Sequence, residues 1–163
     1  MVFGFGKKKE LKADDALYAP FSGKVLKLEE VSDPVFSKKM MGDGYAIVPT
    51  DNAIKAPVSA TVTLVQGHAF GFTRADGLEV LLHVGIDTVS LNGAPFKFTV
   101  KQGDIVDGGQ SVGTVDWAQV EAAGLSKETM VIFTGMVAGQ NVDFSVTADT
   151  VTAGAKVGTA SVK

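Results

Sequence analysis

Short apolar segments rich in valine, isoleucine and phenylalanine, many with polar residues at alternate positions, follow one another from Tyr18 onward. They recur about every 8 to 12 residues, and 19 glycines are distributed among them. This pattern is typical of an all-β sandwich or barrel. We therefore predict a single antiparallel β-sandwich or barrel domain of many short strands over residues 17–163, preceded by a flexible tail over residues 1–16.

Two sequence patterns occur twice. The first, A-P-x-S-x-x-V, begins at Ala19 and again at Ala56. The second, D-x-V-x-x-G-x-x-V-G-T, covers residues 104–114 and again residues 149–159. We interpret each copy as a strand, a turn and a second strand, with Gly109 and Gly154 supplying the turns of the second pattern. The domain is thus predicted to consist of two related halves wrapped around one core.

A β-hairpin is predicted from residues 69–74 and Glu79–His83, because Asp76-Gly77 between two apolar runs is a strong turn signal. Two short helical turns are also predicted. One lies within residues 31–41, where Asp33 precedes Pro34 as a helix cap, and the other covers residues 117–123. Val35, Phe36, Met40 and Met41 are interpreted as packing residues or, alternatively, as the rim of a binding surface.

The predicted hairpin brings the only two histidines, His68 and His83, close together. A histidine on an apolar strand is often a hydrogen-bonded core residue. Two histidines on one hairpin, with Gly85 allowing close approach to the second, favour a working pair instead. A neutral imidazole is a good nucleophile, so a covalent role is chemically available.

Composition excludes several classes of function. The chain has no cysteine, so disulfide scaffolds, thiolate metal sites and cysteine nucleophiles are excluded. A formal charge of -3 and a pI near 5.3 argue against nucleic acid as the main partner. No apolar run approaches the roughly 18 residues of a membrane span, and the amino-terminal region lacks signal-peptide features. We expect a cytoplasmic monomer.

The amino-terminal tail contains Phe3 and Phe5 between glycines, followed by Lys7, Lys8 and Lys9. We interpret it as a solvated terminus. The alternative is a weak contact with a membrane surface, in which the aromatic rings enter the interface and the lysines meet anionic headgroups.

Four blocks of sequence together resemble a known family. They are G-H-A-F at residues 67–70, H-V-G-I-D-T-V at 83–89, M-G-D-G-Y-A-I-V-P at 41–49 and A-P-V-S at 56–59. In this order and spacing they are similar to the glucose-family enzyme IIA of the bacterial phosphoenolpyruvate:sugar phosphotransferase system. The resemblance extends from about residue 18 to residue 163.

The resemblance implies a phosphohistidine carrier that accepts a phosphoryl group from HPr and passes it to the enzyme IIB domain of a sugar permease. His83 would carry the group on Nε2, with Nδ1 held by backbone near Gly85, and no cofactor would be needed. His68 would stabilise the phosphoryl oxygens. Family members commonly have a threonine two residues before the first histidine. Here Gln66 stands there, so its amide oxygen or another contact would have to orient His68.

The resemblance also implies a partner-binding surface around the two histidines. Asp33 and Asp87 would face basic HPr, although a helix cap and a turn carboxylate are the alternative roles for them. The apolar ring that docks each partner would consist of Phe36, Leu64, Leu81 and Val89.

Two other functions remain open from the sequence. A zinc hydrolase of the duplicated-sandwich, lysostaphin-like type would use His68, His83 and Asp87 as ligands, but the usual H-x-H pair is missing. A noncatalytic biotinyl- or lipoyl-like carrier is indicated by the G-D-x-V-x-x-G pattern. It needs a modifiable lysine at a hairpin tip, which Lys38 and Lys39 do not match.

Overall fold

In a computed structural model of the chain, the described residues are 10–134, 142–147 and 149–162. They form short strands that pair antiparallel throughout, two short helices and two 3₁₀ turns, which confirms the predicted fold class. The strands are β1 Ala16–Tyr18, β2 Gly23–Lys27, β3 Asp43–Pro49, β4 Ala53–Lys55, β5 Ala60–Gln66, β6 Ala69–Thr73, β7 Glu79–His83, β8 Phe96–Phe98, β9 Ile105–Val106, β10 Ser111–Val115, β11 Thr129–Thr134, β12 Val142–Val146, β13 Thr150–Val151 and β14 Lys156–Val162. The helices are α1 Pro34–Ser37 and α2 Trp117–Ala122, and the 3₁₀ turns are Leu28–Glu30 and Thr88–Leu91.

The strands form one large sheet and two small ones. The large sheet has the order β13-β2-β3-β11-β7-β6-β5-β9, and the small sheets have the orders β1-β14-β12 and β4-β10-β8. One face of the large sheet packs with side chains of both small sheets to form the main hydrophobic core. Its largest fully buried side chains include Phe21, Phe70, Phe72 and Phe133.

The repeated patterns pair with each other in a symmetric way. The Ala19 N–H donates to the Ala155 carbonyl at 2.9 Å, and the Ala56 N–H donates to the Gln110 carbonyl at 2.8 Å. Gly109 and Gly154 have φ values of +86° and +82°, as the predicted turns require. The two turns touch, because a Cβ on Gly109 would lie 2.8 Å from the Gly154 carbonyl oxygen. The predicted internal duplication is confirmed.

This duplication relates the two ends of the large sheet. Its order is matched by exchanging β13 with β9, β2 with β5, β3 with β6 and β11 with β7, and the small sheets are exchanged likewise. Strand register then gives equivalent residues. His83 faces Ala69 of β6, and Ile132 faces Gly44 of β3, so His83 and Ile132 occupy equivalent positions.

The predicted hairpin and helical turns are present. β6 and β7 pair from Ala69 opposite His83 to Thr73 opposite Glu79. The Gly77 N–H donates to the Arg74 carbonyl at 3.0 Å, and Gly77 has a φ of +91°, which favours glycine in this turn. Helix α1 begins at Pro34, and the Asp33 carboxylate caps it by accepting from the Val35 N–H at 2.8 Å.

A smaller buried cluster lies on the face of the large sheet that points away from the main core. The 3₁₀ turn at Leu28–Glu30 and helix α1 cover this part of the sheet. The buried members of the cluster are Leu28, Val31, Phe36, Ala46, Ile86, Met130 and Ile132. This outer face, rather than the main core, also carries the side chain of His83.

Two expectations about individual segments need correction. Val35, Met40 and Met41 are exposed, Met40 by 71%, so the packing interpretation holds only for Phe36. The predicted tail ended at residue 16, but the Asp14 carboxylate accepts hydrogen bonds from Tyr18 and Ser59, and Ala16 pairs with Thr159 in β14. Phe3, Phe5 and the tail lysines lie outside the described residues. No helix in the described part of the chain is long and apolar enough to cross a membrane.

Candidate functional site

His83 lies at the end of strand β7 on the outer face of the large sheet. It pairs with Ala69 on one side and with Met130 on the other. Its ring is fixed by a hydrogen bond of 2.8 Å between Nδ1 and the Gly85 carbonyl oxygen. A carbonyl can only accept, so Nδ1 carries the hydrogen in the neutral ring, and the lone pair is on Nε2.

The turn after β7 is built to present the Gly85 carbonyl to the histidine. Gly85 has a φ of +80°, and a Cβ at this position would lie 2.5 Å from the Thr88 γ-methyl group. Buried Thr88 donates from Oγ1 to the Val84 carbonyl at 2.6 Å. The Ile86 N–H donates to the Ser126 carbonyl at 3.1 Å. Contacts on both sides therefore hold the residues flanking Gly85 in place.

His68 lies in the tight turn between β5 and β6, directly beside His83. The Val84 N–H donates to the His68 carbonyl at 2.8 Å, which links the two histidine segments through the backbone. The two ring centroids are 4.6 Å apart, and the rings meet edge to face at 68°. The predicted proximity of the two imidazoles is therefore present in the structure.

Burial makes both imidazoles harder to protonate. It lowers the pKa of His83 to about 4, and the neighbouring His68 lowers it further as a second cause. The Gly85 carbonyl and the charges of Asp33 and Asp87 oppose this shift in the pKa of His83. Burial likewise lowers the pKa of His68. Near neutral pH, His83 is thus an uncharged imidazole with its Nε2 lone pair available for bonding.

Asp33 and Asp87 line one cleft of about 460 Å³ beside the histidines, together with Pro34, Ile86 and Ser126. Asp33 also serves as the helix cap that was its alternative role. The alternative role of Asp87 is not observed. Its carboxylate makes no capping hydrogen bond within the described part of the chain. Its backbone, which has a left-handed conformation, accepts at the carbonyl from the Ser90 N–H and hydroxyl.

The apolar residues predicted around the histidines occupy different environments. Phe36 packs against His83 with ring centroids 4.9 Å apart, and it is buried. Leu81 lies on the same outer face, half-buried against the smaller cluster. Leu64 is exposed on β5, separated from Leu81 by Gly71, and Val89 is exposed on the 3₁₀ turn after Gly85.

Gln66 does not orient His68 in the way proposed from the sequence. It is exposed, and its backbone pairs with Ala69 across the turn. No hydrogen bond joins the Gln66 amide or any other group of the described residues to the His68 ring. The ring is positioned instead by the turn, by the Val84 hydrogen bond and by contact with His83.

Three supporting residues were not identified from the sequence. Thr88 supports the turn at Gly85, whereas Ser126 and Glu128 join that turn to the loop before α1. Glu128 accepts from the N–H and the hydroxyl of Ser32, 96 residues away in sequence, and also from the Ser126 hydroxyl. A threonine bonding back to a carbonyl four residues earlier is a recognisable local motif, so Thr88 could have been found. Nothing local marks Ser126 or Glu128.

The described side chains at this site include few that could act as metal ligands. Among the described residues, no group of three or more histidine, aspartate or glutamate side chains is placed to hold a metal ion. Lys38 is the C-cap of helix α1 and Lys39 follows it in a turn, so neither lies at a hairpin tip. Two neutral imidazoles in contact, one with a fixed tautomer, are suited to nucleophilic attack by one ring and hydrogen bonding by the other.

Comparison with known proteins gives one consistent family. Residues 15–139 match the model of the phosphoenolpyruvate-dependent sugar phosphotransferase system, EIIA 1. The glucose-specific EIICBA component of Streptococcus pneumoniae serotype 4 is 46% identical over 122 residues, which are 74% of this chain and 17% of that protein. The glucose-specific EIIA component of Staphylococcus aureus is 45% identical over 107 residues, 64% of each chain. This chain therefore aligns with under two thirds of the length of these relatives.

A solved structure agrees with the sequence comparisons. The glucose permease IIA from Mycoplasma capricolum matches with a TM-score of 0.80 at 38% identity. The match covers 88% of this chain and 93% of that one.

Proposed function

Because the chain belongs to the EIIA 1 family of the phosphoenolpyruvate-dependent sugar phosphotransferase system, we propose that it is a phosphohistidine carrier with His83 as the phosphoryl acceptor. The observation that carries this proposal is the hydrogen bond between His83 Nδ1 and the Gly85 carbonyl. It leaves Nε2 as the nucleophilic nitrogen of a neutral ring.

The proposed reaction is the transfer of a phosphoryl group between histidines. The Nε2 lone pair forms a bond to phosphorus as the bond from phosphorus to the donor's histidine nitrogen breaks, and the donor keeps that electron pair. The onward step reverses these roles toward enzyme IIB. No external oxidant, metal or cofactor is needed for the balance of either step.

His68 is proposed to stabilise the phosphoryl oxygens. Its ring touches that of His83 and makes no hydrogen bond to the described residues, so its polar nitrogens are free to face a group on Nε2. A preorganised donor of this kind stabilises charge that develops during phosphoryl transfer. The lowered pKa of His68 keeps its ring neutral at rest, with one N–H to donate.

The partners are proposed to be HPr as donor and the enzyme IIB domain of a sugar permease as acceptor, in the cytoplasm. Exposed apolar side chains offer contact to a partner; they are Val35, Met40, Met41, Leu64 and Val89. The cleft with Asp33 and Asp87 offers negative charge toward a basic partner. Both partners would use this face, since one phosphohistidine has to reach each of them.

The test is incubation of the purified chain with phosphoenolpyruvate, enzyme I and HPr, followed by intact mass analysis. We expect one added phosphoryl group that is labile in acid and stable in base, and none in His83→Ala. The wild-type mass before incubation should show no lipoyl or biotinyl group. Phosphate on a hydroxyl side chain, or full labelling of His83→Ala with an unchanged melting temperature, would contradict the proposal.

A further inference from the structure

The acidic cleft beside the histidines is formed by three chain segments that are distant in sequence. Residues 32–34 include the start of α1, residues 86–87 follow the histidine-bearing strand β7, and residues 124–126 belong to the loop between α2 and β11. The two aspartates of the cleft lie on different segments, Asp33 on the first and Asp87 on the second. The spacing of their carboxylates therefore depends on how these segments are held together.

Glu128 connects the first of these segments to the third. Its Oε1 accepts from the Ser32 N–H at 3.2 Å, from the Ser32 hydroxyl at 2.6 Å and from the Ser126 hydroxyl at 3.3 Å. The Glu128 N–H in turn donates to Ser126 Oγ at 3.1 Å. Within the described part of the chain, residues 32–34 make their hydrogen bonds to other segments only through Glu128. Because hydrogen bonds to an ionised acceptor are strong ones, Glu128 holds the start of α1 against the loop before β11.

The third segment is joined to the second by a backbone hydrogen bond. The Ser126 carbonyl accepts from the Ile86 N–H at 3.1 Å. Ile86 directly precedes Asp87 in the chain. In the same way, Ser32 directly precedes Asp33. Each aspartate of the cleft thus follows a residue that is anchored to the loop before β11, so the loop sets the distance between the two carboxylates.

The connection made by Glu128 depends on an acceptor oxygen rather than on a negative charge. Glu128 is half-buried and is not among the residues that line the cleft. All three groups that donate to its Oε1 are neutral, and its Oε2 makes no hydrogen bond or ion pair with the described residues. The amide oxygen of a glutamine could accept the same three hydrogen bonds.

We propose that Glu128 is a positioning residue that fixes the spacing of Asp33 and Asp87 for association with the basic phosphoryl donor, HPr. This role rests on the proposed function, because it concerns the docking of that donor. It acts on association rather than on the attack by His83, since the turn that holds the histidine ring has separate support from the Thr88 hydroxyl.

The test measures single-turnover phosphorylation of the full chain by phosphorylated HPr, at several HPr concentrations and at low salt. Glu128→Ala should raise the half-saturating HPr concentration about threefold and leave the limiting rate unchanged, as expected when only association is weakened. Glu128→Gln should restore most of the wild-type value, because it keeps the acceptor oxygen. Glu79→Ala is the matched control and should behave as wild type, because it removes an exposed carboxylate at the opposite end of β7 from His83.

A double-mutant cycle separates positioning from a direct effect of the Glu128 charge. In the Asp33→Asn, Asp87→Asn variant, Glu128→Ala should have no further effect, because the two carboxylates that it positions are already gone. Equal losses on Glu128→Ala with and without the two aspartates would show that Glu128 acts independently of the cleft. Equal losses in Glu128→Ala and Glu128→Gln would show that its charge is what matters. Either result would overturn the proposal.

Thermal melting checks that each variant is folded. If Glu128→Ala is not, Ser32→Ala removes one of the hydrogen bonds without changing any charge, and it should raise the half-saturating HPr concentration by a smaller factor. If wild type is phosphorylated on His83, an unchanged half-saturating concentration in the folded variant, or a loss confined to the limiting rate, would overturn this inference alone. A wild-type chain that accepts no phosphoryl group would overturn the proposed function as well.

Discussion

The histidine-bearing half of the large sheet and its symmetric counterpart share a strand arrangement, but they differ in the side chains at the equivalent positions of the two histidines. At the position of His83 the other half has Ile132, and next to it, at the position of His68, it has Asp43. Ile132 is fully buried in the middle of β11, whereas His83 is half-buried at the end of β7. The halves therefore differ in where the equivalent strands end: β7 ends at His83, whereas β11 continues past Ile132.

The end of β7 creates the site in physical terms. Beyond Ile132, strand β11 continues to Thr134 and keeps its backbone groups in the ladder. Beyond His83, the chain turns at Gly85, which frees a carbonyl to hold the imidazole. Strand ends are where side chains become accessible on a rigid scaffold. A glycine after the strand, supported by Thr88, thus distinguishes the half-buried position of His83 from the fully buried position of Ile132.

The largest effect on the transfer rate is expected from replacing His68, and its equivalent in the other half, Asp43, supplies the control. His68→Gln should leave a folded protein that is phosphorylated on His83 but transfers onward about 10²- to 10⁴-fold more slowly, as typical for loss of a charge-stabilising group. Asp43→Asn is the matched control and should leave the rate unchanged. Single-turnover rates from HPr and to enzyme IIB measure both. If His68→Gln and wild type transfer onward at equal rates, His68 contributes only to packing and does not stabilise the phosphoryl group.

Removing the negative charges of the acidic cleft should have a smaller effect on the rate of phosphorylation, because these charges act on the association with HPr. Replacing Asp33 and Asp87 together by Asn should slow phosphorylation by HPr up to about tenfold at low salt, and the wild-type rate should fall as ionic strength rises. The second-order rate constant at several salt concentrations is the measurement. The helix cap is a control, since Asn at position 33 still caps α1. A rate insensitive to both salt and substitution would restrict Asp33 to capping.

A third prediction concerns the protonation of His83, the residue that replaces Ile132 of the other half. Its pKa of about 4 keeps it neutral at pH 5.5, where a histidine of ordinary pKa would be about tenfold less available. Because the folded pKa is lowered, the unfolded chain binds the proton more tightly, and stability is lost as pH falls from about 6.5 toward 4. An NMR titration of the imidazole should give a midpoint near 4. A midpoint near 6.5 would show that the ring is solvated.

The smallest effect tests the symmetry itself. Ser59 Oγ accepts from the Gly108 N–H at 2.9 Å, and the equivalent Ser22 Oγ accepts from the Ala153 N–H at 2.9 Å. Only Ser59 also donates to the Asp14 carboxylate. Ser22→Ala should cost about 1 kcal/mol of unfolding free energy and Ser59→Ala about twice that, measured by urea denaturation. Equal losses would mean that the Asp14 contact contributes nothing.

The local parts of this fold could be predicted from the sequence because their causes are local. Asp76-Gly77 gives the hairpin turn, Asp33-Pro34 gives the start of α1, and the doubled patterns give two related halves. The proximity of the two histidines follows from the hairpin. The hydrogen bond from His83 to the Gly85 carbonyl was expected from the family resemblance and is present.

The remaining features depend on contacts between distant segments. The exposure of Met40 and Met41 depends on how α1 lies on the sheet, which their apolar character does not reveal. The link from Glu128 to Ser32 joins loops 96 residues apart. Gln66 was assigned a role by analogy with a threonine, but its strand position turns it outward to solvent. Such placements are decided by tertiary packing rather than by local preference.

The exchange of strands between the repeated patterns also constrains the order in which the chain is able to fold during synthesis. β1 pairs with β14, and the segment at Ala19 bonds to the turn at Ala155, so the first strand waits for almost the last one. By contrast, the β2–β3 pair, the β12–β14 pair and most strands from β4 to β10 have a partner close in sequence. We expect the emerging chain to fold only after β14 has left the ribosome, with the first strand and its Asp14 contact completed last.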